Sequence, residues 1–557
     1  MKGYNVCCTS GDPGEKDFPA GGKIDHFFQN LKSEGCMVKK MGGKMLWLLL
    51  GIIILSSGLI GLELLNSGHD WGDDFASYIM QAESIVDGRT SQFMEANAFT
   101  IHQSSINLGP VAYPWGTPVL LAPVVAVFGL NLVALKSINW ICYILLLITL
   151  AAGLRSKLSP LSLIALVAIL GLDPAVLKLF NTVASDIPFL LFSTLTILLI
   201  GKVIVERRIL SVEWLGYVLL GICLAISFFI RTTGIVLLFV ALLSEAGLSI
   251  PFFHRSRNSD SDWERKLDSI PLSRTRINWR MIFLRAIPYF VFLGMTGVWY
   301  LLLPSGEGGY LQSLGAISAR EIKANFLYYL GMPQNFFSAI PFFPLVFGAT
   351  LPFFFTGLVK TINRYYPMAI YGILTMGVNI IWPANQGLRF LLPIFPFYLF
   401  FLLLGMEWYV RAMEGIERKI AFSAAAGFVL LAAFFFSRQS MELALANIRN
   451  HREVSSGPFT PASQEMFNYI KTNTEQDSVI VFFKPRAMRL LTGRPSLEWN
   501  NPSELPPGQY FCFYRNEDEG HQLSSSDIGA LQGIGKIKLI FQNSDFQLFQ
   551  IIPAGGS

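Results

Sequence analysis

The chain has 557 residues, 52% of them hydrophobic and only 15% charged, with 46 phenylalanines and a mean hydropathy of +0.47, a make-up that excludes one ordinary soluble domain and points to a bilayer. The net charge of +5 is small and its one basic loop is interspersed with acids, which gives no support to a nucleic-acid partner. Six cysteines (7, 8, 36, 142, 223 and 512) have no metal-ligand spacing and imply no disulfide framework.

Residues 1–44 are polar and Gly-rich and too long for the leading part of a signal peptide, so they read as a cytoplasmic, disordered segment before a retained anchor. A span takes about 20 apolar residues. Spans are expected on that measure near 45–65, 132–153, 160–178, 187–205, 213–230, 234–250, 283–303, 338–358, 367–383, 389–405 and 420–436, so that a body of about 11 spans covers 45–437. The stretch YPWGTPVLLAPVVAVFGL at 113–130 is apolar but short and broken by prolines; it is either a span or a helix in the outer interface.

Charge placement chooses between these, because flanking cations favour the cytoplasmic side. If 113–130 does not cross, the inner side collects Lys39, Lys40, Lys44, Arg155, Lys157, Arg207, Arg208, the loop HRSRNSDSDWERKLDSIPLSRTRINWR at 254–280, Lys360, Arg364, Arg411, Arg418 and Lys419. The outer side keeps scattered cations such as Arg89, Lys178, Arg231, Arg320 and Arg389. If it crosses, every later loop changes side. The non-crossing reading puts the N-terminus inside, and leaves two long outer regions, a loop at 66–131 and a tail at 438–557. The tail has the composition of a small α/β domain: Thr460-Pro461 starts a helix, SVIVFF (478–483), QYFCFY (509–514), KIKLIF (536–541) and FQLFQI (546–551) read as strands, and helices are expected at 485–493 and 526–532.

Within the outer loop, HDWGDDFASYIMQAESIVDGR runs from His69 to Arg89. Phe75, Tyr78, Ile79, Ala82, Ile85 and Val86 recur at helical spacing and Gly88 can end the helix, which describes an amphipathic helix able to lie on the outer leaflet. Asp73 and Asp74 fall in its first turn, where a carboxylate can accept backbone N–H groups and meet the helix dipole. A second acid, Asp186 in FNTVASDIPFLLF, lies at the outer mouth of the fourth span. Each alone is accounted for by capping or by solvent; together they are better explained as a site at the membrane boundary, where a carboxylate shielded by aromatic rings approaches the range of a general base.

These segments resemble the bacterial C-type glycosyltransferases of the protein-mannosyltransferase and aminoarabinose-transferase class. Asp74, Tyr78 and Ala82 fit that family's first-loop spacing, an acid four residues before a Tyr with Ala four further on. YPWGTPVLLAPVVAVFGLN is similar to its YPxGxPLLLAPxxxLFG segment, ASDIPF to its second acidic motif, FIRTTGIVLL and GLRFLLPIFP to later segments with an Arg near an outer span end, and FFKPRAMRLLTGRPS to the outer domain of many bacterial members. The resemblance covers roughly 45–557.

It implies a polytopic enzyme of the inner membrane, its active site facing outside, that takes a sugar from a polyprenyl-phosphate donor to a lipid, glycan or protein acceptor and inverts the sugar. No nucleotide-binding loop is needed, and none is recognisable. Asp74 would deprotonate or orient the acceptor hydroxyl, and Asp186 would hold acceptor or sugar, or assist a metal. Arg231 and Arg389 are candidates for the donor phosphate, whose geometry a guanidinium matches. Asp73, Tyr78, His69 and His102 are carried as substrate-binding candidates. No metal-ligand set is singled out, and the resemblance leaves a divalent metal open. Two rivals stand beside this reading. A polyprenyl-linked glycan polymerase or ligase would centre its chemistry on a large late loop, whereas here the early loop carries the acids. A transporter or flippase would place ionisable groups at mid-membrane, whereas Glu63, Lys136, Asp173, Lys178, Lys202 and Glu245 fall near span ends.

Overall fold

The computed structural model describes residues 43–206, 213–247, 279–304, 317–383, 385–516 and 521–552. The readings made for residues 1–42, Arg207, Arg208 and positions 254–278 of the basic loop lie outside them. In chain order the described body opens with α1 (Gly43–Leu64), then α2 (Asp74–Val86), α3 (Thr90–Gln103) and α4 (Gly116–Phe128) within the first long loop. The apolar body continues through α5 (Leu132–Leu154), α6 (Pro160–Leu172), α7 (Pro174–Leu177), α8 (Asp186–Leu199), α9 (Glu213–Ile230), α10 (Ile235–Gly247) and α11 (Trp279–Leu302). After α12 (Ala319–Gly331) come α13 (Phe343–Ile381), α14 (Phe395–Ala412) and α15 (Gly415–Arg449). Among the described residues seven helices are long and apolar enough to cross a membrane, and the bent pair α6–α7 makes an eighth.

Local chemistry explains the breaks. Asp173 accepts the N–H of Ala175 and caps α7, and Pro174 cannot continue the ladder of α6, so the expected span 160–178 bends by 45°. The spans expected at 338–358 and 367–383 join into one 39-residue helix, kinked where Tyr365 leaves helical geometry just before Pro367. Helix α4 has 13 residues, about 20 Å at ~1.5 Å per residue, shorter than a ~30 Å hydrocarbon core. Helix α15 continues to Arg449, past the boundary expected at 437, because the apolar run gives way to good helix formers rather than to a breaker.

Helix α2 departs from its expected place. Its apolar stripe is covered by protein, not by lipid: Phe75, Ile79 and Ala82 are buried among Leu121, Ala122 and Val125 of α4, Leu132 and Leu135 of α5, and Ala487 of the tail. The amphipathic pattern was real, but its partner is the fold itself.

The tail begins with α16 (Pro461–Asn473), whose Thr460 cap accepts from Ser463 N–H as the sequence predicts. It adds α17 (Pro485–Thr492), α18 (Ser525–Gly533) and a five-stranded sheet of β1 (Ile480–Val481), β2 (Ser496–Leu497), β3 (Tyr510–Tyr514), β4 (Ile537–Gln542) and β5 (Phe546–Ile551), in the order β2-β1-β3-β5-β4. The first two pairings are parallel and the others antiparallel. Alternation along β3 sends Cys512 and Tyr514 to a core shared with α16, and Phe511 and Phe513 to one shared with Ile528 of α18.

Close helix contact rests on small residues. A Cβ added to Gly405 of α14 would fall on the carbonyl oxygen of Phe353, and one added to Gly357 of α13 on that of Phe401. Such small-residue crossings let backbones approach where lipid supplies no hydrophobic drive. Gly405→Val is therefore expected to lower the melting temperature of the detergent-purified protein and its accumulation, with a cost of about 1–3 kcal/mol for overpacking, whereas Gly294→Ala, with open space around its Cα, leaves both near wild type in a thermal-shift series.

Candidate active site

Asp73 and Asp74, adjacent at the start of α2, part company. Asp73 lies in helical geometry and makes no side-chain cap to its own helix. Its Oδ1 accepts the backbone N–H groups of Arg486 (3.1 Å) and Ala487 (3.2 Å), so it caps α17, whose own N-terminal residue Lys484 supplies no cap. Burial pushes the Asp73 carboxyl up, against the pull of Arg486, whose Nε lies 3.8 Å from Oδ2. Capping, the local alternative for both acids, holds for neither within α2: Asp73, carried as a substrate-binding candidate, caps a helix more than 400 positions away in sequence, and Asp74 faces a cavity.

Asp74 Oδ1 accepts a 2.5 Å hydrogen bond from the Tyr113 hydroxyl, and Oδ2 lies 4.0 Å from Nη2 of Arg389. Arg389, in the turn Gly387–Phe390 before α14, also reaches Asp186, its Nε 3.4 Å from Oδ1. The same Asp186 oxygen accepts from Nη2 of Arg231 at 2.8 Å. Arg231 donates through Nε to Ser185 Oγ (3.0 Å), which also accepts from the Tyr78 hydroxyl (3.2 Å). Asp186 first, and then Asp74, push the Arg389 guanidinium above its ordinary range, with burial opposing. Asp186 is 3% exposed, so two guanidinium groups are what make its charge tolerable there.

These groups surround a cavity of about 1090 Å³ lined by Asp74, Tyr78, His102, Tyr113, Ser185, Arg231 and Arg389, with Phe189, Tyr371, Trp382 and Phe390 among its aromatic walls. Of the candidates read from sequence, Asp74, Tyr78, His102, Arg231 and Arg389 line it, and Asp186 stands behind the two arginines. Asp73 and His69 do not. His69 is buried, accepts the Val183 N–H through Nε2 (3.0 Å) and stacks on Phe75, a position inside the scaffold. Among the described residues no group of three or more His, Cys, Asp or Glu side chains converges as a metal cluster would.

Sequence reasoning missed three members. Ser185 and Tyr113 lie inside motifs quoted above, as neighbours of the acids rather than in their own right. Arg486 lies in FFKPRAMRLLTGRPS, where Lys484 and Arg489 are cations too, so the sequence carries no signal that singles it out. Burial pushes the Tyr113 hydroxyl well above its ordinary value, with the Asp74 charge adding to it, so Tyr113 stays a donor. For Arg486 burial works against the charge, but Tyr113 and the carboxylates of Asp73 and Asp74 outweigh it and the group ends above its ordinary value.

No family model matches the sequence, and no curated protein does. Solved structures do match. ArnT from Cupriavidus metallidurans in the apo state is 10% identical, with a TM-score of 0.56 over 91% of this chain and 98% of that one. The same protein bound to undecaprenyl phosphate gives 12% identity and a TM-score of 0.49 over the same shares, and the apo oligosaccharyltransferase of Archaeoglobus fulgidus gives 12% and 0.46 over 82% of this chain and 65% of that one. At such identities the likeness is one of fold: the chain shares the fold of ArnT, a polytopic helical body followed by a small C-terminal α/β domain.

The ion pairs make a checkable prediction. Asp186→Asn leaves Arg231 without its carboxylate partner and Arg389 with only the 4.0 Å contact to Asp74, so it is expected to destabilise by about 3–5 kcal/mol in denaturant unfolding, and Arg231→Met added to it should return part of that loss, with a coupling of about 1–3 kcal/mol. Additive effects would mean that the three groups do not share one network.

Proposed function

We propose that this protein is an inverting glycosyltransferase that moves a sugar from a polyprenyl-phosphate donor to a lipid, glycan or protein hydroxyl at the outer face of the cytoplasmic membrane. The observation that carries the reading is the placement of Asp74 and Asp186 at one end of the helical bundle, bridged by Arg389 on the wall of a large cavity. The fold shared with ArnT supports it as a likeness of architecture.

The chemistry follows from the geometry. Asp74, held on Oδ1 by Tyr113, keeps Oδ2 toward the cavity as the oxygen that takes the acceptor's proton. The acceptor oxygen attacks the anomeric carbon opposite the donor phosphate, the bond from that carbon to the phosphate oxygen breaks, and polyprenyl phosphate departs with its electron pair. Charge on the phosphate rises as the bond breaks, so Arg389 and Arg231 stabilise the transition state more than the ground state. Asp186 holds both guanidiniums in place from behind, and His102, exposed at the rim, stands where an acceptor would enter. The aromatic side chains of the wall suit sugar faces and isoprenoid alike.

Asp74→Asn is expected to abolish transfer while leaving expression and melting near wild type: envelope lipids and glycans of a deletion strain, compared by mass, should lack one sugar and accumulate a lipid-phosphate sugar, and the variant should fail to restore the pattern. Restoration by Asp74→Asn overturns the base assignment. A reporter fused after Ile552 is expected to read as extracytoplasmic; a cytoplasmic signal overturns the proposed side of the reaction.

A further inference from the structure

We propose that Arg486, supplied by the C-terminal domain, is a positioning residue for this reaction, directing the Tyr113 hydroxyl onto Asp74 and so deciding which carboxylate oxygen serves as base. The inference rests on the transferase reading and adds to it a function for the outer domain.

Arg486 is completely buried, an unusual state for an arginine. Its Nη2 donates to the carbonyl of Pro110 at 2.8 Å, its Nη1 to the Tyr113 oxygen at 3.3 Å, and its guanidinium lies over the Tyr113 ring, 5.3 Å from the centroid. A guanidinium has donors only. The Tyr113 oxygen must therefore accept from it, and the one hydroxyl proton is left for the other neighbour, Asp74 Oδ1. Everything else about Tyr113 is already fixed. Gln81, itself buried, donates to its carbonyl (2.9 Å) and accepts its N–H (3.1 Å), and the Tyr78 ring packs 5.0 Å away. The direction of a single O–H bond is what remains, and Arg486, which can only donate, settles it together with the Asp74 carboxylate, which as a base can only accept. With Oδ1 engaged, the oxygen facing Arg389 and the cavity is the one available to the acceptor.

An arginine that only tied the loop at Pro110 would couple to the phenol all the same, but its removal from the folded protein would leave transfer intact and would add to the effect of Tyr113→Phe. The charged and titratable groups around that phenol are Asp73 and Asp74 at the start of α2, Tyr78 on its next turn, Arg389 and Arg486. Genetically encoded 3-nitrotyrosine at position 113 of the full-length protein in detergent reports its own ionisation by visible absorbance. Arg486→Met is expected to raise that midpoint, and Asp74→Asn to lower it, by roughly one to three units each, the effect of a charge a few ångströms away. In the deletion strain, Tyr113→Phe and Arg486→Met should each reduce formation of the missing glycan by up to about a hundredfold, the double variant no more than either alone, with Arg486→Lys between.

A midpoint that Arg486→Met leaves in place overturns the proposal whatever the glycan does. Full glycan formation in Arg486→Met, where Asp74→Asn abolishes it, overturns it while leaving the transferase reading intact. Should Arg486→Met fail to accumulate, Tyr113→Phe, which removes one oxygen, decides: full glycan formation there overturns the proposal too. Full formation in Asp74→Asn strikes the transferase reading itself, and this inference with it.

Discussion

One guanidinium shared between two carboxylates governs this end of the molecule. Arg389 stands between Asp74 and Asp186, which come from the starts of α2 and α8. Asp186 is nearly sealed from solvent, and both Arg389 and Arg231 lie against it, the ion pairing that a buried carboxylate calls for. Two acids and two cations balance formally before any substrate arrives. On the proposed reading a lipid phosphate would compete for the arginines, and the longer contact, 4.0 Å to Asp74, is the easier one to surrender.

A second buried cation sets the stage on which that network stands. Lys136, in the first turns of α5, is wholly buried, and its ammonium donates to the carbonyl of Asn66 (3.1 Å), to Asn66 Oδ1 (2.9 Å), to Asn181 Oδ1 (2.6 Å) and to the carbonyl of Gly68. It thereby ties the exit of α1 to the turn that precedes Asp186. Asn447 of α15 closes the same knot by donating to the carbonyls of Glu63 (2.8 Å) and Leu65 (3.2 Å). The loop that carries Asp74 and the turn that carries Asp186 leave the bundle from this common point. An ammonium so fully met by oxygens is pinned to the scaffold, which weighs against its being a station on a transport path.

The sequence spoke clearly wherever the signal was local. Apolar runs located the helices, Thr460-Pro461 located the start of α16, and alternation located β3, β4 and β5. It was silent where the cause is distant. Nothing in PRAMRLLT says that Arg486 will meet Tyr113, because the contact joins residues 373 positions apart. The spacing of Phe75, Tyr78, Ile79 and Ala82 announced an apolar stripe without saying whether lipid or α4 would cover it. Strand β2 is two residues long and has no pattern of its own; it exists because Ile480 and Val481 lie beside it. Asp73 and Asp74 were indistinguishable as letters, and only the position of α17 separates a scaffold acid from a cavity acid.

That separation ties the C-terminal domain to the site. Successive residues on a helix point about 100° apart, so if Asp73 turns toward α17, Asp74 cannot follow it. The docking of α17 therefore fixes the rotation of α2 about its own axis, and with it the direction of the candidate base. Other ties hold the docking in place: Trp71 inserts among Phe482, Phe483 and Tyr514 of the tail, Gly457 lies so close to the carbonyl of His69 that a Cβ could not fit, and Ser105 N–H pairs with the Glu498 carbonyl beside β2 at 3.0 Å. Ser104 and Ser105 also line the cavity. The same contacts that attach the domain thus shape one wall of the site and aim its acid, and a loosely tethered C-terminal domain could do neither.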